Sequence, residues 1–294
     1  MMGSATGVVV GATDPSASAE FLEVFGFSRS TRTRIDVADA AALYGLERPS
    51  VELVCVTPGT TAPAVHLVGC DLPGRLPADF ERRARALDLY TSDMDDAIDH
   101  LRLVGLQPGP VGTLSVGPVT MRQCLVPGPD GLAVVLVEST HRRSSILDRP
   151  GAGLFSEPHS VVWCVDDMDA HSAALVSVGL TKGSDLAFTE AEVSTYLDLP
   201  RTPVPIRMTM LSGPEVEPLR LELLEFPDDP GPTPTGDTLG GGFWALRHET
   251  PGAALGAAEP LLAAGWSESG SSVSATTVVS PGGLRLQFCR RSGN

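Results

Sequence analysis

Two ionisable residues, Glu222 and His66, each stand in a segment rich in apolar residues, LRLELLEF and PAVHLVG respectively. Both segments have the composition of β-strands, so the two side chains are predicted to project from a sheet. A carboxylate inside a sheet needs a partner or a chemical role. Glu222 could pair with Arg220 or Arg247, ligate a metal, or act as a general base with a raised pKa. His66 could be a hydrogen-bonded core imidazole or could transfer protons.

A fourfold repeat indicates which elements carry these residues. Three copies run from an apolar strand through an aspartate into an amphipathic segment that ends at a glycine twelve residues after the aspartate. The aspartate is predicted to cap the helix N-terminus, and the glycine to end the helix in the left-handed conformation. The copies are GVVVGATDPSASAEFLEVFGF (Asp14 to Gly26), LDLYTSDMDDAIDHLRLVGL (Asp93 to Gly105) and VVWCVDDMDAHSAALVSVGL (Asp167 to Gly179). A degenerate fourth copy ends at Gly265.

Each predicted helix is followed by a stretch that reads as three strands, so each copy is predicted to be a β-α-β-β-β module. Nearly equal spacings between modules one and three, and between two and four, indicate that a two-module half was duplicated. The predicted fold is α+β, with modules one and two in residues 1–142 and modules three and four in 158–294. The charged, Gly- and Pro-containing segment 143–157 is the predicted linker.

This pattern resembles the vicinal oxygen chelate proteins, which include glyoxalase I, bleomycin-resistance proteins and extradiol dioxygenases. The resemblance rests on the apolar strand, the Asp-capped helix ending in Gly, and the last strand after a Pro-Asp-Gly turn, as in PGPDGLAVVLVE. It covers nearly the whole chain. It implies that two modules pair so that their sheets curl around a cleft, which in that family usually holds a divalent metal.

The resemblance also implies where metal ligands would stand: one inward position on the first strand of a module and one on the last. In chain order of the modules, the first-strand positions are Gly7, Ala86, Ser160 and Ala245, and the last-strand positions are His66, Val135, Glu222 and Gln287. If modules one and two pair, only one of their four positions, His66, carries a side chain that could ligate a metal. If modules three and four pair, two positions do, Glu222 and Gln287. The pairings one with four and two with three do no better. No cofactor is therefore expected, with a divalent metal (Fe, Zn or Mn) as the alternative.

A register shift would change this count, because side chains of a strand alternate between faces. His159 precedes Ser160 and lies beside Pro158, where a strand start or a bulge is possible. If His159 points inward, then His159, Glu222 and Gln287 form the alternative metal-ligand set. If it points outward, it is a surface histidine.

Alternation predicts the other side chains of the cleft. Asp88 could reach His66 across it, and a His–Asp pair would keep one ring nitrogen free for proton transfer. Trp163 and Trp244 are expected on the helix-facing side. The predicted catalytic residues are Glu222, His66 and Asp88. The predicted substrate-binding residues are Ser160, Gln287, Arg247, Tyr90, Tyr196 and Arg207, and Arg201 is a further candidate on the predicted rim.

Composition limits the partners. The 21 basic and 36 acidic residues leave a net charge of −15, which disfavours nucleic acid and anionic membrane surfaces. Five cysteines without a C-x-x-C pair, no basic segment before the short apolar start, and no long apolar run favour a cytoplasmic protein. We expect a monomer or homodimer that binds a small molecule.

Three functions are compatible with these residues. The favoured one is a metal-independent lyase, isomerase or cyclase that moves a proton on a small organic molecule, for which secondary metabolites are a candidate class. The first alternative is a non-catalytic binding protein of the bleomycin-resistance type. The second is a divalent-metal-dependent lyase or dioxygenase.

Overall fold

The computed structural model describes residues 5–77, 80–116, 118–189, 191–197, 199, 203–213, 219–229, 231–232, 240–250, 254–272 and 274–290. It has the predicted α+β architecture, in which four β-α-β-β-β modules form two curled eight-stranded sheets. No helix in these ranges has the length and apolar character needed to cross a bilayer.

Each module contains the predicted strand, helix and three further strands. Module one consists of β1 (Ala5–Ala12), α1 (Pro15–Glu23), β2 (Ser28–Ile35), α2 (Val37–Tyr44), β3 (Ser50–Val56) and β4 (Ala64–Gly69). Module two consists of β5 (Ala84–Thr91), α3 (Met94–Leu103), β6 (Val111–Val116), β7 (Val119–Pro127) and β8 (Ala133–Ser139). Module three consists of β9 (Phe155–Val165), α4 (Met168–Ser177), β10 (Thr181–Phe188), α5 (Ala191–Tyr196), β11 (Ile206–Ser212) and β12 (Arg220–Glu225). Module four consists of β13 (Gly242–Thr250), α6 (Ala254–Ala263), β14 (Ser267–Ser271), β15 (Ala275–Val279) and β16 (Arg285–Arg290).

The predicted helix boundaries are confirmed by their capping geometry. Asp14 accepts hydrogen bonds from the backbone N–H groups of Ser16 and Ala17, at 2.8 and 3.2 Å. Asp93 and Asp167 cap α3 and α4 in the same way. The four glycines that follow the helices all have positive φ angles: Gly26, Gly105, Gly179 and Gly265. This left-handed conformation costs glycine little and other residues more, which is why the spacing is readable from sequence.

The modules pair across the two halves of the chain. We name the sheet of modules one and four, in the order β14-β15-β16-β13-β1-β4-β3-β2, sheet I. The sheet of modules two and three, in the order β10-β11-β12-β9-β5-β8-β7-β6, is sheet II. The sequence left the pairing of the modules open, and in the structure module one shares a sheet with module four and module two with module three. In sheet II, β8 and β9 flank opposite edges of β5, so the short connection between them carries the chain across β5 into the same sheet. The domain boundaries at 142 and 158 stay a prediction.

The largest core lies on the helix-facing sides of both sheets and includes Trp163, as predicted. Smaller apolar clusters line each concave face. Trp244 belongs to the concave cluster of sheet I, so its predicted helix-facing position is wrong. The reason is a break in register opposite Val9 and Val10, which leaves Trp244 and Ala245 on the same side of β13.

Candidate functional site

The concave face of sheet I is filled by a polar network around Arg247 of β13. Its Nη1 donates to Nδ1 of His66 and its Nε to Oε1 of Gln287, both at 2.8 Å. Its Nη2 donates to Oε1 of Glu52 at 2.9 Å and to the hydroxyl of Tyr44 at 3.1 Å. Tyr44 ends α2, which was not predicted as a helix, and α2 packs across β14 and β15. The face is therefore a satisfied buried network.

His66 is part of this network and does not meet Asp88, which lies in sheet II. An arginine side chain only donates, so Nδ1 of His66 accepts and a neutral ring carries its proton on Nε2. Burial lowers the pKa of His66, and the charge of Arg247 lowers it further. The pKa of Glu52 is about 2: burial opposes ionisation, but the contacts with His66 and Arg247 outweigh it. The predicted His–Asp pair is therefore wrong, and the hydrogen-bond partner of His66 is Arg247.

The packing of sheet I explains why a glycine stands at position 7. A Cβ at this position would lie 2.5 Å from ring atoms Cδ2 and Nε2 of His66. The missing side chain at this ligand position therefore makes room for the imidazole. Sequence reasoning missed Glu52, although SVELVCV carries the same signal as Glu222, a carboxylate interrupting an apolar strand.

The concave face of sheet II is open and contains two adjacent cavities that share lining residues. The larger chamber has a volume of about 690 Å³ and the smaller chamber about 230 Å³. Both are lined by Asp88, Gln123, Tyr196, Leu197 and Glu222, so they meet at the two carboxyl groups. The space is of the size that holds a small organic ligand.

Helix α5 forms part of the rim of this cleft. It lies against β6, and the backbone N–H of Thr113 donates to Oε2 of Glu192 at 2.6 Å. Tyr196, the last residue of α5, lines both chambers. The poorly periodic segment around it was predicted to form the rim, and Arg201 of that segment lies outside the described residues.

Glu222 lies on β12 between Leu221 and Leu223, which face the helices, so alternation turns its carboxyl into the cleft. Its side chain is buried, with 9% exposure. Burial raises the pKa of Glu222 to about 7, although the positive charge of Arg220 acts in the opposite direction. Within the described ranges no hydrogen bond or salt bridge reaches the carboxyl group, so it is available to a ligand.

Asp88 faces Glu222 from β5 and is 2% exposed. The hydroxyl of Ser160 donates to Oδ2 of Asp88 at 2.6 Å, whereas Oδ1 is buried with no hydrogen-bond partner in the described part of the chain. Burial raises the pKa of Asp88 well above its usual value, and the charge of Glu222 adds to the effect. The Asp88 carboxyl therefore keeps its proton to a higher pH than a solvated aspartate does, and the acidic hydrogen belongs on Oδ1 because Oδ2 accepts from Ser160.

His159 points into the cleft. The pairing of β5 with β9 passes from Asp88–Ser160 to Leu89–Pro158, which leaves His159 as the extra residue of a bulge. The imidazole is 6% exposed and stacks on Tyr90, with ring centres 3.9 Å apart and planes 11° apart. The interpretation as a surface residue is therefore wrong, and the inward alternative describes its position.

The alternative metal set of His159, Glu222 and Gln287 nevertheless does not assemble. Gln287 lies in sheet I, where it accepts from Arg247, while His159 and Glu222 lie in sheet II. Burial lowers the pKa of His159 well below its usual value, and the charges of Arg220 and Arg143 act in the same direction.

The structure separates the remaining predicted binding residues. Ser160, Tyr90 and Tyr196 lie in or against the cleft of sheet II with Glu222 and Asp88, whereas Gln287 and Arg247 lie in sheet I. Arg207 pairs with Glu225 and Asp169 on the helix-facing side of sheet II and lines neither chamber. Arg85 lines the larger chamber and was missed, because only a break in register between Ala84 and Ala86 turns it inward.

The donors at the metal positions do not fit a metal of the family type. In sheet I the guanidinium of Arg247 lies between the two polar side chains, His66 and Gln287, so a fixed cation already occupies the approach to them. In sheet II the four positions offer one carboxylate, Glu222, and one hydroxyl, Ser160. Over the described ranges, no three His, Cys, Asp or Glu side chains are grouped so that they could hold a metal ion.

No protein-family model and no curated protein matches the sequence. Among solved structures, the chain is similar to glyoxalase I from Zea mays, with 16% identity and a TM-score of 0.66 over 98% of this chain and 92% of that one. It is also similar to a putative dioxygenase from Bacillus subtilis, with 10% identity and a TM-score of 0.65 over 100% of this chain and 86% of that one. The chain therefore has the vicinal oxygen chelate fold, with four modules in one polypeptide. A likeness at this identity concerns the fold.

Proposed function

We propose that the protein catalyses metal-independent proton transfer on a small carbonyl compound bound in the cleft of sheet II, with Glu222 as the general base. The observation that carries the proposal is the position of the Glu222 carboxyl: buried, unpaired within the described chain, and facing both chambers. A general base works best when its pKa lies near the working pH, and the pKa of Glu222 is about 7.

Asp88 supplies the complementary group. A carboxylic acid that stays protonated at neutral pH can donate a hydrogen bond to an oxygen on which negative charge develops. Ser160 holds Oδ2 of Asp88, which directs the acidic hydrogen on Oδ1 to a ligand. Ser160 therefore keeps a role as an orienting residue, acting through Asp88.

The two carboxyl groups define a reaction class. Glu222 takes a proton from the carbon beside the carbonyl group while Asp88 stabilises the enolate oxygen. Return of the proton to another carbon gives an isomerase, and loss of a leaving group with its electron pair from the next carbon gives a lyase. Attack of the enolate carbon on a second carbonyl group of the same molecule, whose oxygen then takes the proton, gives a cyclase. We further expect the protein to act in the cytoplasm as a monomer or homodimer.

Butyrophenone in D₂O tests the proposal, because its methylene protons beside the carbonyl exchange only when an enolate or enol forms. We expect the wild-type protein to remove their NMR signal, and Glu222→Gln to slow the exchange at least 100-fold, within the range attributed to general bases. Glu138→Gln is the matched control, because Glu138 pairs with Arg122 outside the two chambers, and it should keep the wild-type rate.

A binding function without catalysis is the second candidate, favoured by the apolar wall of the larger chamber. This wall contains Leu125, Val135, Val162 and Leu197. An apolar cleft needs no ionisable group to hold a ligand. Butyrophenone that binds to the wild-type protein and is recovered without deuterium would contradict the enzymatic proposal and support sequestration.

A further inference from the structure

The smaller chamber has a polar end built on Arg220 and His159. Nη2 of Arg220 lies 3.4 Å from the hydroxyl of Tyr90 and 3.3 Å from Nδ1 of His159. Nε of Arg220 is buried and has no hydrogen-bond partner among the described residues. Nε2 of His159 is likewise buried and has no hydrogen-bond partner among the described residues. Two buried polar atoms at one end of a cavity need an explanation, because each costs free energy if nothing bonds to it.

The tautomer of His159 follows from its neighbour. The guanidinium of Arg220 only donates, so Nδ1 of His159 is the acceptor of that contact. The hydroxyl of Ser160, which donates to Oδ2 of Asp88 at 2.6 Å, also lies 3.0 Å from this Nδ1, and a hydrogen shared between the two acceptors is compatible with the same assignment. A neutral ring then carries its proton on Nε2, and burial keeps the ring neutral by lowering its pKa. Both atoms without a partner, Nε of Arg220 and Nε2 of His159, are therefore N–H donors. What this end of the chamber lacks is an acceptor.

We propose that the smaller chamber is a carboxylate subsite, in which Arg220 and His159 bind an anionic group of the substrate beside Glu222 and Asp88. This inference rests on the proposed function of the same cleft and adds the substrate class: a keto acid whose carbonyl group lies near the two carboxyl groups. The Nε–Nη2 edge of an arginine matches the two oxygens of a carboxylate.

Charge and lining favour a monoanion. The chamber of about 230 Å³ is otherwise lined mainly by apolar side chains, including Leu114, Val137 and Ile206. Glu222, which lines the same chamber, repels negative charge when ionised, and the repulsion is larger for a dianionic phosphoryl group than for a carboxylate. A carboxylate on a short apolar stem is therefore the matching ligand.

Three compounds with one aryl ketone skeleton test this subsite by calorimetric binding. They are 4-oxo-4-phenylbutanoate, which carries a carboxylate, butyrophenone, which lacks it, and 3-oxo-3-phenylpropylphosphonate, which carries a phosphonate instead. We expect the wild-type protein to bind the carboxylate at least ten-fold more tightly than either of the others. Equal affinities for the acid and the ketone, or failure of the acid to bind, would overturn the proposal. Tighter binding of the phosphonate would overturn the choice of carboxylate.

Arg220→Gln should bring the affinities for the acid and the ketone to within about two-fold of each other. The control is Arg207→Gln, which removes the same charge from the helix-facing side of sheet II and should keep the preference. If Arg220→Gln still prefers the acid, Arg220 is not the group that binds the carboxylate. If that variant does not fold, the comparison of acid and ketone with the wild-type protein still tests the carboxylate subsite.

The outcome is separable from that of the proposed function. Binding is measured without turnover, and Glu222→Gln should retain the preference for the acid. A preference for the acid without deuterium exchange would support the subsite and contradict proton transfer. Deuterium exchange of butyrophenone without any preference for the acid would support proton transfer and contradict the carboxylate subsite.

Discussion

Arg247 donates a hydrogen bond of 2.8 Å to Nδ1 of His66, at a position where the resemblance to the vicinal oxygen chelate proteins implied a metal ligand. The same guanidinium bonds Gln287, the other polar side chain at the metal positions of sheet I. The positively charged guanidinium of Arg247 thus lies where a metal ion would have to approach His66 and Gln287. Sheet I is a structural core, and the cleft with free ionisable groups lies in sheet II.

Replacing Arg247 should therefore cost stability. Arg247→Met leaves the Glu52 carboxylate, whose side chain is only 17% exposed, without its cation, and breaking a largely buried pair in this way costs about 3 kcal/mol, the lower end of the range for buried pairs. The free energy of unfolding in urea measures the loss. Arg122→Met is the control, because Arg122 pairs with Asp95 and Glu138 at the surface, where an ion pair contributes about 0 to 1 kcal/mol. Equal losses in the two variants would contradict the structural role of Arg247.

The space left by Gly7 is a second test of sheet I. Gly7→Ala should destabilise the protein by about 1 to 3 kcal/mol, because the new methyl group would meet the His66 ring, which Arg247 holds in place. Gly256→Ala on α6 is the matched control, since a Cβ there meets no atom within 4 Å. We expect the control to be neutral or more stable by up to about 1 kcal/mol. Thermal unfolding of both variants decides this, and an undisturbed Gly7→Ala protein would be inconsistent with the packing described.

The pKa of Glu222 predicts how stability depends on pH. The folded state raises this pKa to about 7 from 4.5, so the folded protein holds the proton more tightly than the unfolded chain. The favourable contribution of protonated Glu222 is fully present below pH 4.5 and is lost as the pH rises through 7. Glu222→Gln removes this loss, so its advantage over the wild type should grow by about 2 to 3 kcal/mol between pH 5 and pH 8. Urea denaturation at both pH values measures it, and a constant difference would show that the carboxyl is not buried.

Arg220 should set the pH at which the base works. Its positive charge lowers the pKa of Glu222 against the effect of burial. In Arg220→Gln the pKa should rise above 7, so the rate of butyrophenone exchange should reach its plateau at a higher pH than in the wild type. Because butyrophenone is uncharged, the shift reports on Glu222 and not on the probe. The control Arg207→Gln should leave the profile in place, and an unchanged profile in Arg220→Gln would contradict the interaction.

Local sequence patterns were sufficient for the strand, helix and three further strands of each module, but not for the additional helices α2 and α5. The spacing from Asp14 to Gly26 repeats because capping and the left-handed glycine are local requirements, and the structure confirms both ends. Alternation placed Asp88 and Tyr90 on the cleft side of β5 and Glu222 on the cleft side of β12. The pairing of modules was not accessible, because it depends on which strand edges meet over distances of more than 70 residues, as between Asp88 and Ser160.

Breaks in strand register account for the site residues that sequence reasoning misplaced. Arg85, His159 and Trp244 each stand next to an inward position and turn inward because one residue is added locally to the strand. A bulge is set by the partner strand as well as by the bulged segment, and only Pro158 beside His159 hinted at one. His66 and Arg247 were placed on an inner face correctly, but their partners depended on the pairing of modules.

The most direct measurement is the pH–rate profile of butyrophenone exchange by wild-type protein treated exhaustively with a chelator, beside Glu222→Gln under the same conditions. We expect the wild-type rate to survive chelation and to rise with an apparent pKa near 7, and the variant to show at least a 100-fold slower rate across the range. A rate that is lost on chelation and restored by zinc, iron or manganese, with the variant still active, would contradict proton transfer by Glu222 without a metal.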